Sequence, residues 1–230
     1  MINKIAHMIW IGWEMPKTQK QIVYKNAKIL EKQDFGVNIW WNDEIAKHFT
    51  KMPEWVTKAM LEKKYAIAVD YFRVQIVREF WGIYIDCDHE LIKPIPEYIL
   101  ESNIFIGRLP SWFINNSFFW AKKLHPLLID LIREMKAKIT IRNMIVWPRV
   151  ESLFLFGKVL DKVPVTIVQA EEVYPYFPGE ETTWITEKTF AISWFTYSWS
   201  NKWYLRFCNK FWLKRLSLFI RKYTKDHEHF

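Results

Sequence analysis

Hydrophobic and polar positions change their period along this chain, which predicts strands and helices that follow one another. The apolar run at residues 5–11 ends at Gly12 and predicts a buried first strand. A helix is predicted over residues 18–32, a second strand over 37–41 and a second helix over 53–64. The first quarter of the chain therefore reads as alternating strands and helices.

The pattern is most distinct in the middle of the chain. Residues 66–80 have a helical period, Gly82 stands where a C-terminal cap is expected, and residues 83–85 predict a short buried strand. Farther on, the pattern predicts strands at 104–107, 118–121 and 163–168 and a helix at 126–138. Such alternation predicts an α/β fold with a mostly parallel central sheet flanked by helices. Ligands bind such sheets beyond the carboxyl ends of the strands.

Two carboxylates, Asp86 and Asp88, follow the short strand at that edge. Side chains at i and i+2 of an extended chain point to the same side, so both can face one cation. Hard cations such as Mg²⁺ or Mn²⁺ prefer oxygen ligands and keep positions open for substrate phosphates. Chance acids in a turn are the alternative. Tyr84, within the strand, is either a substrate contact or a packing residue.

Asp70 and Arg73 lie one helical turn apart in the preceding helix and share a face. A surface ion pair is one interpretation. The other is a polar ligand site, because both residues interrupt an apolar stretch that leads directly to Asp86 and Asp88.

Composition predicts where in the cell the protein lies and sets apart a basic C-terminal segment. The 230 residues are 50% hydrophobic and 18% aromatic, with net charge +8. The two cysteines, Cys87 and Cys208, and an N-terminus without a signal-peptide pattern predict reduced thiols in the cytoplasm. Residues 201–230 hold eight Lys and Arg against two Asp and Glu, a net charge of +6.

Within that tail, residues 203–223 predict a basic amphipathic helix rich in Trp and Phe. Such a helix suits the surface of an anionic membrane, here the inner face of the cell membrane. The alternative is a final helix packed on the domain. A nucleic-acid role is disfavoured because the basic charge is confined to the tail and no nucleic-acid motif is present.

Several of these motifs together resemble glycosyltransferase family 32, a group of sugar transferases related to the catalytic core of large clostridial glucosylating toxins. The resemblance rests on Asp70-x-x-Arg73, on Gly82-Ile-Tyr-Ile-Asp86-x-Asp88 and on His7-Met-Ile-Trp-Ile-Gly12 with Pro16. Weaker matches are Asn115-Asn116-Ser117 with His125-Pro126, and Phe190 to Trp199. The family's usual residues are absent at Val69, Trp81, Trp147 and Ser193, the last standing where a His is usual. The resemblance covers residues 1–200.

The resemblance implies a GT-A type nucleotide-sugar-binding fold for residues 1–200, followed by the tail at 201–230. It implies that Asp70, Arg73, Asp86 and Asp88 are catalytic, and that Mn²⁺ or Mg²⁺ is held by Asp86, Asp88 and Ser198. Trp10 would lie beside the nucleotide base, although it also suits a core, and Ile11 and Gly12 would be substrate-binding residues next to it. The remaining implied substrate contacts are Tyr84, Asn116 (or Asn115 in its place), Ser198 and Trp199.

The implied function is transfer of a sugar from a UDP- or GDP-sugar to a glycan or lipid-linked saccharide, with retention of anomeric configuration. The setting would be cell-surface polysaccharide synthesis at the cytoplasmic face of the membrane. Two alternatives stay open. One is a non-catalytic sugar-nucleotide-binding protein, which Ser193 suggests; the other is a metal-dependent phosphoesterase, which also uses paired carboxylates.

Overall fold

The computed structural model describes residues 4–109, 114–138, 164–175 and 185–194. Within these ranges the strands are β1 (Ile5–Ile9), β2 (Gly36–Trp40), β3 (Gly82–Ile85), β4 (His89–Leu91), β5 (Ile104–Arg108), β6 (Ile114–Ala121), β7 (Thr166–Val168) and β8 (Ala191–Ser193). The helices are α1 (Lys17–Glu31), α2 (Asn42–His48), α3 (Glu54–Leu61), α4 (Tyr65–Phe80), α5 (Glu97–Leu100), α6 (Pro126–Lys138) and α7 (Ala170–Val173).

Six strands form the central sheet in the order β2-β1-β3-β6-β5-β7. The β1–β2, β1–β3 and β5–β7 pairs are parallel, whereas β6 runs antiparallel to both of its neighbours, β3 and β5. Five of the six strands therefore point the same way, which confirms the predicted mostly parallel sheet. A separate two-stranded sheet pairs β4 with β8 antiparallel, His89 opposite Ser193.

Helices cover both faces of the central sheet, and each face has its own hydrophobic core. Side chains of β3 alternate between the two: Tyr84 belongs to the core on the α4 side, and Ile83 and Ile85 to the core on the α1 side. In β1, Ala6 and Met8 also face the α1 side. Both faces of these strands are apolar because both are covered, as expected for parallel strands.

Most predicted elements are present, with shifted ends. The first strand ends at Ile9 rather than at residue 11, and the strand predicted at 163–168 is described only as Thr166–Val168. The pattern at Asn42-Asp43, a turn or cap signal, begins α2. No helix of the described ranges has the length and apolar character to cross a membrane.

Candidate functional site

The reversal of the chain between α4 and β3 brings the two polar motifs together. From Asp70 to Trp81 the helix rises about 16 Å, and from Trp81 to Asp86 the extended chain covers about 16 Å back. Gly82 lets the start of β3 pack closely against β1, since a Cβ there would lie 2.3 Å from the Ile5 carbonyl oxygen. The N-terminal half of α4 therefore lies level with the carboxyl end of β3.

Strand alternation then decides which acidic side chain faces the helix. Because Tyr84 projects toward α4, Asp86 projects to the same side two residues later. Cys87 projects to the opposite side, where its buried thiol donates to the Ile9 carbonyl at 3.4 Å. The prediction of a free, reduced Cys87 agrees with this contact.

Arg73 is the centre of the site and is almost fully buried. Its guanidinium nitrogens lie 3.1 Å from Asp70 Oδ1 and 3.4 Å from Asp86 Oδ1, and Nη1 donates to Asn116 Oδ1 at 2.7 Å. The guanidinium carbon lies 5.1 Å from the centre of the Tyr84 ring. The predicted Asp70–Arg73 pair is thus an interior pair joined to Asp86, rather than a surface ion pair.

Tyr84 has a defined polar contact in spite of its burial. Its hydroxyl donates to Asp86 Oδ1 at 2.6 Å, and its ring lies under Arg73. Burial raises the pKa of Tyr84, so the phenol keeps its proton and donates. In this structure Tyr84 orients Asp86 and packs in the core, which agrees with the packing interpretation. A contact between Tyr84 and substrate stays a prediction.

Two carboxylates of the site, Asp70 and Asp86, have pKa values that their surroundings shift toward the neutral form. Burial raises the pKa of Asp70 to about 7, which the Arg73 charge opposes and the Asp86 charge assists. Burial also raises the pKa of Asp86 to about 6, against the opposing effect of Arg73. Asp70 and Asp86 lie at the Arg73 guanidinium, and Asp88 follows on the same turn, so three carboxyl groups stand near one guanidinium. When ionised, they leave an excess of negative charge that suits a cation.

Three backbone hydrogen bonds hold the turn that carries Asp86 and Asp88. The Asp86 N–H donates to the Ser117 carbonyl at 2.8 Å, and the His89 N–H donates to the Asp86 carbonyl at 2.9 Å. The Trp194 N–H donates to the Asp88 carbonyl at 3.0 Å. Strands β6 and β8, distant in sequence, therefore both fix this turn.

Below the turn lies a buried polar group that the sequence analysis did not identify. Ser117 Oγ shares a hydrogen bond of 2.7 Å with the Tyr174 hydroxyl and lies 3.5 Å from His89 Nδ1, while His89 Nε2 donates to the Val173 carbonyl at 2.9 Å. Burial lowers the pKa of His89 to about 4, so the ring is neutral. No local pattern marks these residues, because their partners come from β4, β6 and the end of α7.

Asn26 of α1 is a second residue that the sequence analysis missed. Its side-chain nitrogen donates to the His89 carbonyl at 2.7 Å, and its oxygen accepts from the Leu91 N–H at 2.7 Å. One side chain thus binds the edge of β4 as a neighbouring strand would. The detectable signal was an Asn among the buried positions of a helix, between Val23 and Leu30.

The two adjacent asparagines have different positions and roles in the structure. Asn116 is buried against Arg73, whereas the Asn115 side chain accepts from the Ser117 N–H at 2.7 Å within β6. Among the described residues, no partner is present for the buried Nδ2 of Asn116. The structure therefore brings Asn116, and not the Asn115 side chain, to the Arg73 cluster.

The two carboxylates of the turn suit a hard divalent cation whose other ligands are water molecules or phosphate oxygens. Asp86 and Asp88 are partly exposed oxygen donors on one turn. Among the residues that the structure describes, no group of three or more His, Cys, Asp or Glu could hold a metal. Ser193 is buried in β8 opposite His89. Within these ranges the acidic pair alone would serve as protein ligands.

The end of β1 lies beside the acidic turn, and the residues there divide between the two cores. Trp10 is 9% exposed, packs on the α1 side, and donates its indole N–H to the Trp13 carbonyl at 2.7 Å. Ile11 is buried on the α4 side, and the Gly12 N–H donates to Asn42 Oδ1 at 3.0 Å. A Cβ at Gly12 would lie 2.2 Å from the Tyr65 ring. The structure thus groups Trp10 with the α1-side core and not with the Arg73 cluster.

The remaining predicted residues lie outside the described ranges. These are Ser198 and Trp199, Trp147-Pro148, Cys208 and the tail helix at 203–223. His125 is described and caps α6, accepting from the Leu127 N–H at 3.2 Å, which is a structural role.

Comparison with known proteins finds that the chain is similar to glycosyltransferases. No protein-family model matches the chain. An uncharacterized glycosyltransferase, L373 of Acanthamoeba polyphaga mimivirus, is 27% identical over 143 residues, which are 59% of this chain and 56% of that protein. The chain therefore matches little more than half the length of this curated relative.

Two solved structures are also similar. The PaToxG glycosyltransferase superposes with a TM-score of 0.54 at 22% identity, over 69% of this chain and 70% of that one. A glycosyltransferase involved in glycosylation of the major capsid of PBCV-1 matches with a TM-score of 0.45 at 12% identity, over 82% of this chain and 92% of that one. The predicted fold is confirmed: this chain has the α/β fold of a glycosyltransferase structure and is homologous in sequence to a glycosyltransferase.

Proposed function

We propose that the protein is a metal-dependent glycosyltransferase that moves a sugar from a UDP- or GDP-sugar to a glycan or lipid-linked acceptor. The observation that carries this proposal is the Arg73 cluster, in which Asp70, Asp86 and Asn116 meet one guanidinium beside the Asp86–Asp88 turn. Homology to a glycosyltransferase supports the reaction class. The assignment to family 32 rests on the motifs named above.

Each side chain of the cluster has a proposed task. Asp70 and Arg73 bind hydroxyl groups of the donor sugar and hold them in one orientation, which lowers the entropic part of the barrier. Asn116 offers its buried Nδ2 to a sugar oxygen. Tyr84 fixes the Asp86 carboxyl group through the 2.6 Å hydrogen bond. Trp10, Ile11 and Gly12 would border the nucleotide at the end of β1.

We assign Mn²⁺ or Mg²⁺ to Asp86 and Asp88, with Ser198 as a further ligand and Trp199 beside the diphosphate. Such a cation neutralises charge on a departing diphosphate. Among the described residues, none stands out as a covalent nucleophile. We therefore propose transfer with retention, by displacement on one face of the sugar. Ser193 leaves the cation with fewer protein ligands than is usual in the family.

The decisive experiment is incubation with a panel of UDP- and GDP-sugars and Mn²⁺, read out as released nucleotide. We expect turnover of at least one donor, and at least 100-fold less in Asp88→Ala, because Mn²⁺ loses a carboxylate ligand. Glu62→Ala, an exposed acid at the end of α3, is the control and should keep full activity.

The other outcomes separate the alternatives. Nucleotide-sugar binding without turnover supports a non-catalytic binding protein, and hydrolysis of simple phosphate esters supports a phosphoesterase. Full transferase activity in Asp88→Ala contradicts the assignment of the acidic pair.

We also propose that the protein acts in cell-surface polysaccharide synthesis, at the cytoplasmic face of the membrane. The support is the basic and aromatic pattern of residues 203–223, read from the sequence. A lipid-linked acceptor would then meet the enzyme at the surface where both are held.

A further inference from the structure

Trp194 lies beside the acidic turn although no motif predicted a role for it. It follows β8 directly, and its backbone N–H donates to the Asp88 carbonyl at 3.0 Å. The pairing of His89 with Ser193 sets this position. In an antiparallel pair, the residue after Ser193, Trp194, then lies opposite the residue before His89, Asp88. The Cα of Trp194 is thereby fixed next to Asp88.

The indole ring is held at its other end by a mostly buried carboxylate. Trp194 Nε1 donates to Glu90 Oε2 at 2.7 Å, and Glu90 Oε1 accepts from Lys25 Nζ of α1. Only 16% of the Glu90 side chain is exposed. The two donors, Trp194 and Lys25, offset the cost of burying this carboxylate. In β4, His89 and Leu91 are buried and Glu90 points to the partly open side. One hydrogen bond thus holds the backbone of Trp194 and another holds the polar edge of its indole ring.

This fixed ring remains 41% exposed. A rigid aromatic ring in water, held by its polar edge, presents an apolar face at little further loss of conformational entropy. The C–H faces of a pyranose ring pack on such a surface, while its hydroxyl groups need the polar donors and acceptors nearby. The neighbouring turn carries the Asp86 and Asp88 carboxylates, which would lie beside the donor diphosphate.

We propose that Trp194 is the platform of a sugar-ring subsite, with Glu90 and Lys25 as residues that position it. The proposal rests on the proposed function for its substrate class, a pyranose, but it uses different residues from the Arg73 cluster. The ring that packs on Trp194 belongs either to the acceptor or to the donor sugar.

The first test is saturation-transfer NMR of the full-length protein with a panel of methyl glycosides of common hexoses. We expect at least one glycoside to receive saturation from the wild type, with a signal at least fivefold weaker in Trp194→Ala. Trp194→Phe keeps the ring and should retain more signal than Trp194→Ala. Glu90→Ala should reduce it, because the indole loses its acceptor. Tyr24→Ala, an exposed aromatic of α1, is the control and should match the wild type.

Equal signals in the wild type and Trp194→Ala, or no signal from any glycoside, would overturn the subsite. A loss that Tyr24→Ala shares would overturn it also, since the effect would then not depend on this ring. Equal melting temperatures of wild type and Trp194→Phe make the comparison independent of folding.

Donor hydrolysis without acceptor separates the two sources of the sugar. A KM for the nucleotide sugar that rises at least tenfold in Trp194→Ala assigns the ring to the donor, and an unchanged KM with a lost glycoside signal assigns it to the acceptor. A wild type that turns over no nucleotide sugar, but binds glycosides through Trp194, refutes the transferase and keeps the subsite. Turnover with glycoside signals that are independent of Trp194 refutes the subsite alone.

Discussion

At the scale of single residues, Arg73 shows how one buried charge can organise a site. A lysine could not replace it equally, because only the planar guanidinium presents several donors at fixed angles to Asp70, Asp86 and Asn116 at once. Buried ion pairs contribute little net stability, since removing the charges from water offsets their attraction. The cluster is therefore better explained by function than by folding, which leads to a prediction for Asp70.

We expect Asp70→Asn to be more stable than the wild type at pH 8 while losing activity. Asp70 has a pKa of about 7 when folded and 3.8 as the ordinary value, so between these values the unfolded chain binds fewer protons. Stability therefore falls as pH rises through this interval. A difference of three pKa units between the folded and unfolded chain corresponds to about 4 kcal/mol in the free energy of unfolding. Because 17% of the side chain meets solvent and Arg73 loses a charged partner, we expect a gain of about 1–2 kcal/mol.

Denaturant unfolding of both proteins at pH 4 and pH 8 measures this difference. At pH 4 the two should be equal, because the Asp70 carboxyl is then largely protonated in the folded state. A variant less stable than the wild type at pH 8 would show that the attraction of Arg73 exceeds the penalty of burial.

At the scale of elements, the junction of α4 and β3 determines the geometry of the site. Trp81 ends α4 with φ +49° and ψ −175°, a conformation that only glycine adopts without strain. His7 stabilises the junction from β1, donating Nε2–H to the Trp81 carbonyl at 2.6 Å while its Nδ1 accepts from the Trp40 indole at 3.2 Å. Burial lowers the pKa of His7 to about 4, in keeping with a neutral ring.

The strain at Trp81 predicts that glycine is more stabilising than alanine at this position, the reverse of the usual order in a helix. Both Trp81→Gly and Trp81→Ala remove the indole and its 5.9 Å contact with Lys123, but only the alanine variant keeps a Cβ at positive φ. We expect Trp81→Gly to be more stable than Trp81→Ala by about 1–2 kcal/mol in denaturant unfolding.

Tyr24, exposed within α1, provides the matched comparison. There Tyr24→Ala should be more stable than Tyr24→Gly by about 1 kcal/mol, which is the usual order in a helix. If Trp81 follows the same order as Tyr24, the junction is not strained as described.

At the scale of the whole molecule, the central sheet and the β4–β8 sheet meet at the acidic turn. Strands β3 and β6 hold it from one side and β8 from the other, so residues 82–88, 114–121 and 191–194 act together. The site therefore depends on contacts over more than 100 residues of sequence. The basic tail at 203–223 would add a membrane contact to this arrangement.

Membrane association through the tail is open to a direct test. We expect the full-length protein to sediment with vesicles rich in phosphatidylserine and to bind phosphatidylcholine vesicles weakly, with the difference reduced by high salt. A chain that ends at Asn201 should lose this preference, since it lacks the tail's net charge of +6 from eight basic and two acidic residues. Equal binding by the two chains would contradict the proposal.

The sequence by itself determined the elements and the residues whose signals are local. The helical period of α4, the glycine after it and the apolar run of β3 predicted an element pair that the structure contains. Since the chain only has to reverse once between them, Asp70, Arg73 and the acidic pair could be placed together from sequence. These short-range features were sufficient for the fold class and for the centre of the candidate site.

Only the tertiary structure decided what depends on pairing between distant segments. Three-residue strands such as β4 and β8 are too short for a period to appear, and the antiparallel direction of β6 follows from its place between β3 and β5. Trp10 could not be assigned to a face because β1 is apolar on both sides. Asn26, His89 and Trp194 acquire their roles through partners far along the chain, because long-range packing, and not local propensity, brings those partners within hydrogen-bond distance.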